Sequence, residues 1–412
     1  MTARKLTTKA ITHSASTYIG KAGELFYDTA TATLKISDGT TPGGATLNTD
    51  GSGGDTWPVT NTAGASGPTL ITIGQNAGLT SQGAQAVAVG GYAGSANQGT
   101  LAVAVGSYAG GTTQGGSAVA VGRRAGEISQ GAQAVAIGFE AGRDSQGVSA
   151  VAIGNSAGQD SQGSESVAIG RDAGAYSQGN AAVAVGLDAG YQNQGVYSVA
   201  IGTTAGFTGQ GLYAVAIGEQ SGLNLQGNNT VAIGKVAGYT GQGVSAVAVG
   251  KQAGETTQGN YSVAVGQQAG TNTQGVSAVA VGYLAGTTSQ GANSVAIGVN
   301  TGSTSQGTYS VAIGAGAGFN GQGNNSVAIG LDTGLTSQGA NSVAIGKQAG
   351  ETSQAANSII LNATGAALNQ TTASTFTVKP VRDGGSAAGM AAGGFRPAYY
   401  NPTTGEFVYA SS

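Results

Sequence analysis

Few residues in this 412-residue chain are equipped for chemistry, and they do not converge. The single histidine, His13, lies in a polar stretch with no partner set, and there is no cysteine. Imidazole acid–base work, thiol nucleophiles and thiolate–metal sites therefore have no basis in the sequence. The carboxylates Asp38, Glu140, Asp144, Asp160, Asp172, Asp188 and Glu219 could act in pairs on a glycosidic bond or together on calcium, but no unbroken acidic column joins them. Gly384-Gly385 and Gly393-Gly394 lack the strand-then-helix setting of a phosphate loop and read as flexible backbone. What does recur is an amide. Gln82, Gln98, Gln114 and every sixteenth residue on to Gln338 and Gln354 is glutamine. Such a column can present a receptor-binding stripe, or it can stack at a corner of the fold as a ladder that satisfies its own amides. The ladder is preferred because it needs no partner. The chain is read as a non-enzyme without cofactor or metal, since a site must be argued from residues that meet.

The glutamines belong to a larger pattern. A glycine recurs every 16 residues from Gly74 to Gly346, giving 18 copies of Val-Ala-(Ile/Val)-Gly-x-x-Ala-Gly-x-x-x-Gln-Gly-x-x-(Ser/Ala) without an insertion. A strict short period means one structural turn per unit, each stacked on the last. Glycine at several places per unit and Val/Ile at spacing two argue for strands rather than a helix. The expectation is an all-β parallel β-roll, or β-solenoid, of 16-residue turns with small β modules at both ends. In the first strand, Val343 and Ile345 share one face and are expected to form the core. Ala88, Ala104 and Ala344 point the other way and are candidates for a trimer interface, being small enough for close approach by a second chain. The second strand is placed around Ala141, with Phe139, Glu140 and Arg143 in variable positions facing water.

Composition agrees with a thin, uncharged roll. Gly accounts for 77 residues and charged residues for 8%, against roughly 25% charged in an ordinary domain. The net charge of −3 carries no basic stripe, so nucleic acid is not an expected partner. Met1 to Gly20 has Arg4, Lys5 and Lys9 but no apolar run after them, which does not read as a secretory signal. No apolar segment is long enough to cross a membrane as a helix, so membrane insertion is not expected.

Four segments follow. Residues 1–47 form a β module with strands at Glu24–Asp28 and Thr33–Ser37. Residues 48–69 are a Gly/Ser/Thr linker, residues 70–362 the repeat shaft, and residues 363–412 a C-terminal β segment with a hairpin over Ala398–Tyr409. Aromatic residues Tyr92, Tyr108, Tyr191, Phe207, Tyr213, Tyr239 and Phe319 occupy variable columns and could stack against a glycan or protein. Tyr399, Tyr400, Phe407 and Tyr409 are candidates for receptor contact, or for the apolar plug of a trimer tip.

The hexapeptide Asn-Ser-Val-Ala-Ile-Gly at 293–298, 325–330 and 341–346 resembles the head repeat of trimeric autotransporter adhesins, the YadA-like head. That resemblance implies a left-handed roll and a fibrous homotrimer. The unit here is longer than that family's common repeat and carries a Gln-Gly corner. Gly23–Asp28, Leu34–Gly44, Asn357–Ala363 and Tyr399–Glu406 resemble the ends of phage tail-fibre and other virion proteins. Together these imply a virion fibre, assembled in the host cytoplasm and carried as a tail fibre or other external appendage. Its N-terminal module would dock to tail or capsid proteins, and the fibre would bind a host-surface glycan or protein. A non-recognising capsid or neck fibre and a cell-surface trimeric adhesin are the alternatives.

Overall fold

A computed structural model describes residues 9–11, 18, 21, 25–28, 33–37, 40, 42, 45–46, 59–61, 70–381, 398–401 and 403–409. Every regular element among them is a strand. The chain divides into two compact units, Met1–Tyr213 and Ala214–Ser412.

The first unit holds a four-stranded sheet and a roll. In the sheet, Lys9–Ile11 runs parallel to Leu25–Asp28, which pairs antiparallel with Thr33–Ile36, itself antiparallel to Ala45–Thr46. The roll stacks two parallel ladders. One contains Ile71–Ile73, Val87–Val89 and their repeats on to Val199–Ile201, the other Thr80–Gln82 and its repeats on to Thr208–Gln210. Register is one repeat per rung, so Val103, Ala104 and Val105 sit on Val119, Ala120 and Val121, and Gln114 on Gln130. Backbone bonds knit successive turns, as from Val103 N–H to Ala118 O at 2.9 Å and from Thr112 N–H to Glu127 O at 2.7 Å. Val59–Asn61 lies antiparallel on the first rung, Ile71–Ile73, so part of the expected linker belongs to the roll.

The second unit repeats the construction from Val215–Ile217 to Val343–Ile345 and from Asn224–Gln226 to Thr336–Gln338. Its first ladder continues through Ile359–Asn362 to Phe376–Lys379, so the roll extends past residue 362. At that end Ile360 takes the position that alanine holds in the preceding rungs of this unit, and packs with Ala344, Ala349 and Leu368. Ala398–Tyr400 and Phe407–Tyr409 form the expected hairpin. Its turn is held by Asn401, whose side-chain Oδ1 accepts from Thr403 N–H at 2.9 Å.

Each 16-residue turn closes through five residues with left-handed backbone. In one turn these are Gly250 (φ 129°), Gln252 (58°), Gly254 (53°), Thr257 (48°) and Tyr261 (59°). Strands of three residues leave the chain no room for gradual bends, so single left-handed residues make the corners. The glycine at the end of the first strand is also fixed by contact. A Cβ on Gly250 would lie 2.5 Å from Gly266 O in the next turn.

Candidate interaction surface

The interior of the roll is narrower than the sequence suggested, and this reverses the expected faces of the first strand. Ala88, Ala104 and Ala344 are fully buried inside the roll, whereas Val343 is half-buried and Ile345 is 41% exposed. The alanines therefore cannot meet a second chain, and Val343 and Ile345 are not the core. The cause is the opposite wall. Facing Ala264 is Gly270, on which a Cβ would stand 3.2 Å from Ala264 Cβ and 2.9 Å from Gln274 Oε1. Opposite such a wall there is room for one methyl group, which alanine fills from Ala88 to Ala344.

The glutamines fill the rest of that lumen. They lie on the second strand, which falls at Asp144–Gln146 rather than around Ala141; residues 139–142 form the preceding turn. The left-handed residue in the middle of this strand, Ser145 in that copy, breaks the simple alternation of sides. Asp144 and Ser145 are then half-buried and exposed, while Gln146 turns inward. Gln82 donates to Gln98 at 2.8 Å, Gln98 to Gln114 at 3.1 Å and Gln338 to Gln354 at 3.2 Å. Each amide also reaches main chain, as Gln98 Nε2 does to Val87 O at 2.9 Å and Gln114 Nε2 to Val103 O at 2.9 Å. With Gln98, Gln114, Gln338 and Gln354 only 2% exposed, the column is an internal ladder and presents no amide to a receptor. The ladder has gaps: Oε1 of Gln178, Gln258, Gln306 and Gln338 accepts no bond. Serines in the column before the first strand are satisfied locally, Ser342 Oγ donating to Gly339 O at 2.6 Å.

With alanine inside, the larger apolar side chains of the first strand face out. In the first unit the outward pairs include Val135 with Ile137 and Val151 with Ile153. In the second they include Val295 with Ile297 and Val311 with Ile313. Stacked in register, they make a β-branched stripe on each unit, unbroken by any charged residue. This stripe, not the alanine column, is the surface with a need to be covered. Its sequence signal was the column that alternates between Val and Ile, which tolerates a change of size that the alanine column does not.

Residues 258–285, 274–301 and 289–317 match the YadA head domain repeat. The YadA-head-like copies thus lie within the second unit, and their Val-Ala-(Ile/Val)-Gly segments are the rungs that carry the outward stripe. No curated protein matches the chain.

Away from the stripe the surface is variable. Aromatic side chains one repeat apart stack: Tyr92 on Tyr108 at 4.9 Å, Tyr191 on Phe207 at 4.9 Å and Tyr197 on Tyr213 at 5.1 Å. Charges pair both within a turn and between turns. Arg143 contacts Asp144 at 2.7 Å, Asp160 at 2.9 Å and Glu140 at 3.3 Å. The hydrogen bond to Asp144 holds the Arg143 guanidinium above its ordinary pKa, while burial pushes the Asp160 carboxyl up despite the arginine. Asp172 is also raised, first by burial and then by Asp188 one turn away. Glu219 pairs with Lys235 at 2.9 Å. Among the described residues no three His, Cys, Asp or Glu side chains gather as a metal site, and no helix is long and apolar enough to cross a membrane. At the C-terminal end Phe407 is exposed and lies 5.8 Å from Phe376. The side chains of Tyr399, Tyr400 and Tyr409, and residues His13, Asp38, Gly384, Gly385, Gly393 and Gly394, lie outside what is described.

Proposed function

We propose that this chain is a non-catalytic attachment fibre: a homotrimer in which three rolls bury their outward Val/Ile stripes against one another and display variable columns to a host surface. The observation that carries this reading is the stripe itself, since a regular apolar face of this kind marks an interaction surface. The YadA head repeat match supports the same assembly. Three equivalent chains would raise the effective concentration of any weak contact they make.

For location we propose an external appendage of a virus particle, with the N-terminal sheet docked to tail or capsid proteins and the C-terminal segment outermost. The end motifs support this reading. The second reading, a cell-surface adhesin, is favoured by the YadA head repeats alone.

Sedimentation equilibrium tests the assembly. A trimer mass that falls to a monomer on Ile297→Glu with Ile313→Glu supports it; a monomeric wild-type chain would remove it. Electron microscopy of intact particles labelled with antibody to residues 363–412 tests the location. Label at free fibre ends supports the virion reading, label on capsid or neck the non-recognising fibre. Label only on cell envelopes supports the adhesin.

A further inference from the structure

One turn of the second unit is notched. The two residues after its corner glycine are Ala315 and Gly316, and no other copy has glycine at the second of these positions. The missing side chains open a cavity of about 390 Å³ between the apolar walls Val299, Phe319 and Leu335, with Asn300, Asp332 and Thr336 as its polar groups. The volume falls within the roughly 300–1,000 Å³ of small-molecule sites. A Cβ on Gly316 would stand 2.5 Å from Asp332 Oδ1 and 3.3 Å from Leu335 Cδ1, so the carboxylate occupies space that only glycine leaves free. Several carboxylates of the first unit are tied to cations, as Asp144 and Asp160 are to Arg143. Asp332 has no ion pair among the described residues. Phe319 and Val299 remain 37% and 47% exposed.

We propose that this notch binds one hexopyranose ring of a surface glycan, an inference that rests on the attachment reading and names its ligand class. A pyranose has a face of C–H groups and a rim of hydroxyls. The C–H face suits the Phe319 ring and the aliphatic walls. The Asp332 carboxylate accepts from two neighbouring hydroxyls in charge-assisted bonds, and the Asn300 amide both donates and accepts. A bare amine would satisfy the carboxylate but leave the amide and the apolar walls without matching groups. A single shallow site gives a dissociation constant of about 1 mM, which three copies on a fibre would convert to useful avidity.

The test is saturation-transfer NMR on the full chain with methyl glycosides of glucose, galactose, mannose and N-acetylglucosamine, and with n-butylamine as a purely cationic probe. Gly316→Asn closes the notch without straining the backbone, because Asn300 in the same column already adopts φ 52°. Phe319→Ala removes the aromatic wall, and Tyr261→Ala, a remote exposed ring, controls for non-specific stacking. The expected result is transfer to at least one glycoside, reduced about tenfold or more (about 1.4 kcal/mol) by Gly316→Asn and Phe319→Ala and unchanged by Tyr261→Ala. No transfer to any glycoside at about 10 mM, equal transfer in Gly316→Asn, or transfer to n-butylamine alone would each overturn the proposal. Sedimentation and cell-attachment assays on the same samples separate the two readings. A trimer that attaches yet ignores every glycoside overturns the notch alone, and a glycoside-binding monomer overturns the fibre alone.

Discussion

Exchanging the sizes of two adjacent residues, Val263 and Ala264, tests which face of the first strand is inside. Ala264 stacks between Ala248 and Ala280 with no exposure, opposite Gly270 and Gln274. Ala264→Val adds two methyl groups where the facing wall is backbone and a buried amide, neither of which can retreat by a rotamer change. Overpacking of this kind costs about 1–3 kcal/mol, and the rigid wall places it at the upper end, about 3 kcal/mol. Val263 is half-buried on the outer side. Val263→Ala removes two partly covered methyl groups, worth about 1 kcal/mol at most at roughly 0.8 kcal/mol per fully buried group. Were valine inside, the order would reverse, with Val263→Ala costing about 2 kcal/mol or more and Ala264→Val nearly neutral. Repeat arrays open locally, so hydrogen exchange of peptides spanning 247–282 is the suitable assay. It should be run at two protein concentrations, because a stripe buried between copies adds an association cost to Val263→Ala but not to Ala264→Val. Finding that Val263→Ala opens this region more than Ala264→Val at the lower concentration would refute the assignment of faces.

Three further substitutions probe the other devices of the turn. The two N–H groups of Gln274 reach Val263 O at 2.8 Å and Gln290 Oε1 at 3.1 Å, with Ala278 O at 3.2 Å sharing one of them, and its Oε1 accepts from Gln258 at 3.2 Å, three full bonds in all. At about 1 kcal/mol per net bond, Gln274→Ala should lower stability by about 3 kcal/mol in urea unfolding, and a loss within about 0.5 kcal/mol would deny the ladder a structural role. Thr273 is β-branched yet holds φ 29°, whereas Asn193 sits in the same column at 55°. Thr273→Asn should therefore slow local exchange, a gain of about 1 kcal/mol, and faster exchange would argue against strain at this corner. Asp172 has a raised folded pKa, so its stabilising contribution is full below the unfolded value near about 3.9 and is lost as pH rises through the folded value. Asp172→Asn should consequently raise the melting temperature at pH 7 and change it little at about pH 3; an equal rise at both would exclude ionisation as the cause.

The turn length, the two ladders and the stacking of like on like were legible because a period without slippage forces them. Which side of the strand lay inside was not legible, for a reason peculiar to thin rolls. Alternation at spacing two separated Ala344 from Val343 and Ile345, but both sets are apolar and hydropathy cannot rank them. The usual preference for large residues inside failed because the lumen is set by Gly270 and its equivalents, not by side-chain volume. A better signal lay in tolerance of size. The inward position stays alanine from Ala88 to Ala344, while the outward position at the end of the strand exchanges a methylene freely: Ile137 and Ile153 in two copies, Val121 and Val185 in others. The inward glutamine was hidden differently. Asp144-Ser145-Gln146 reads as polar throughout, and only the left-handed backbone at Ser145 sends Gln146 inside. The notch at Gly316 was visible as one glycine in a variable column, but besides Phe319 its walls come from the turns before and after, which become neighbours only once the register is known.

A lumen of this width has a further consequence for how the molecule is held together. Apart from Ile360 and Leu368 at its C-terminal end, its hydrophobic clusters consist of alanines, such as Ala232, Ala248, Ala264 and Ala280, and the bulkiest fully buried side chains after Ile360 include Gln114, Gln258 and Gln274. Alanine buries a single methyl group, so the interior supplies little of the apolar burial that normally offsets chain entropy. Order within a turn must come instead from the backbone bonds between rungs and from the amide ladder, each of modest net value. The side chains able to add substantial burial, Ile297, Ile313 and Ile345 among them, are on the outside. Covering them would supply what the lumen lacks, and a second and third copy in the same register would do so rung by rung. In the proposed trimer, the same geometry that forces alanine inward would make self-association a source of stability for the roll.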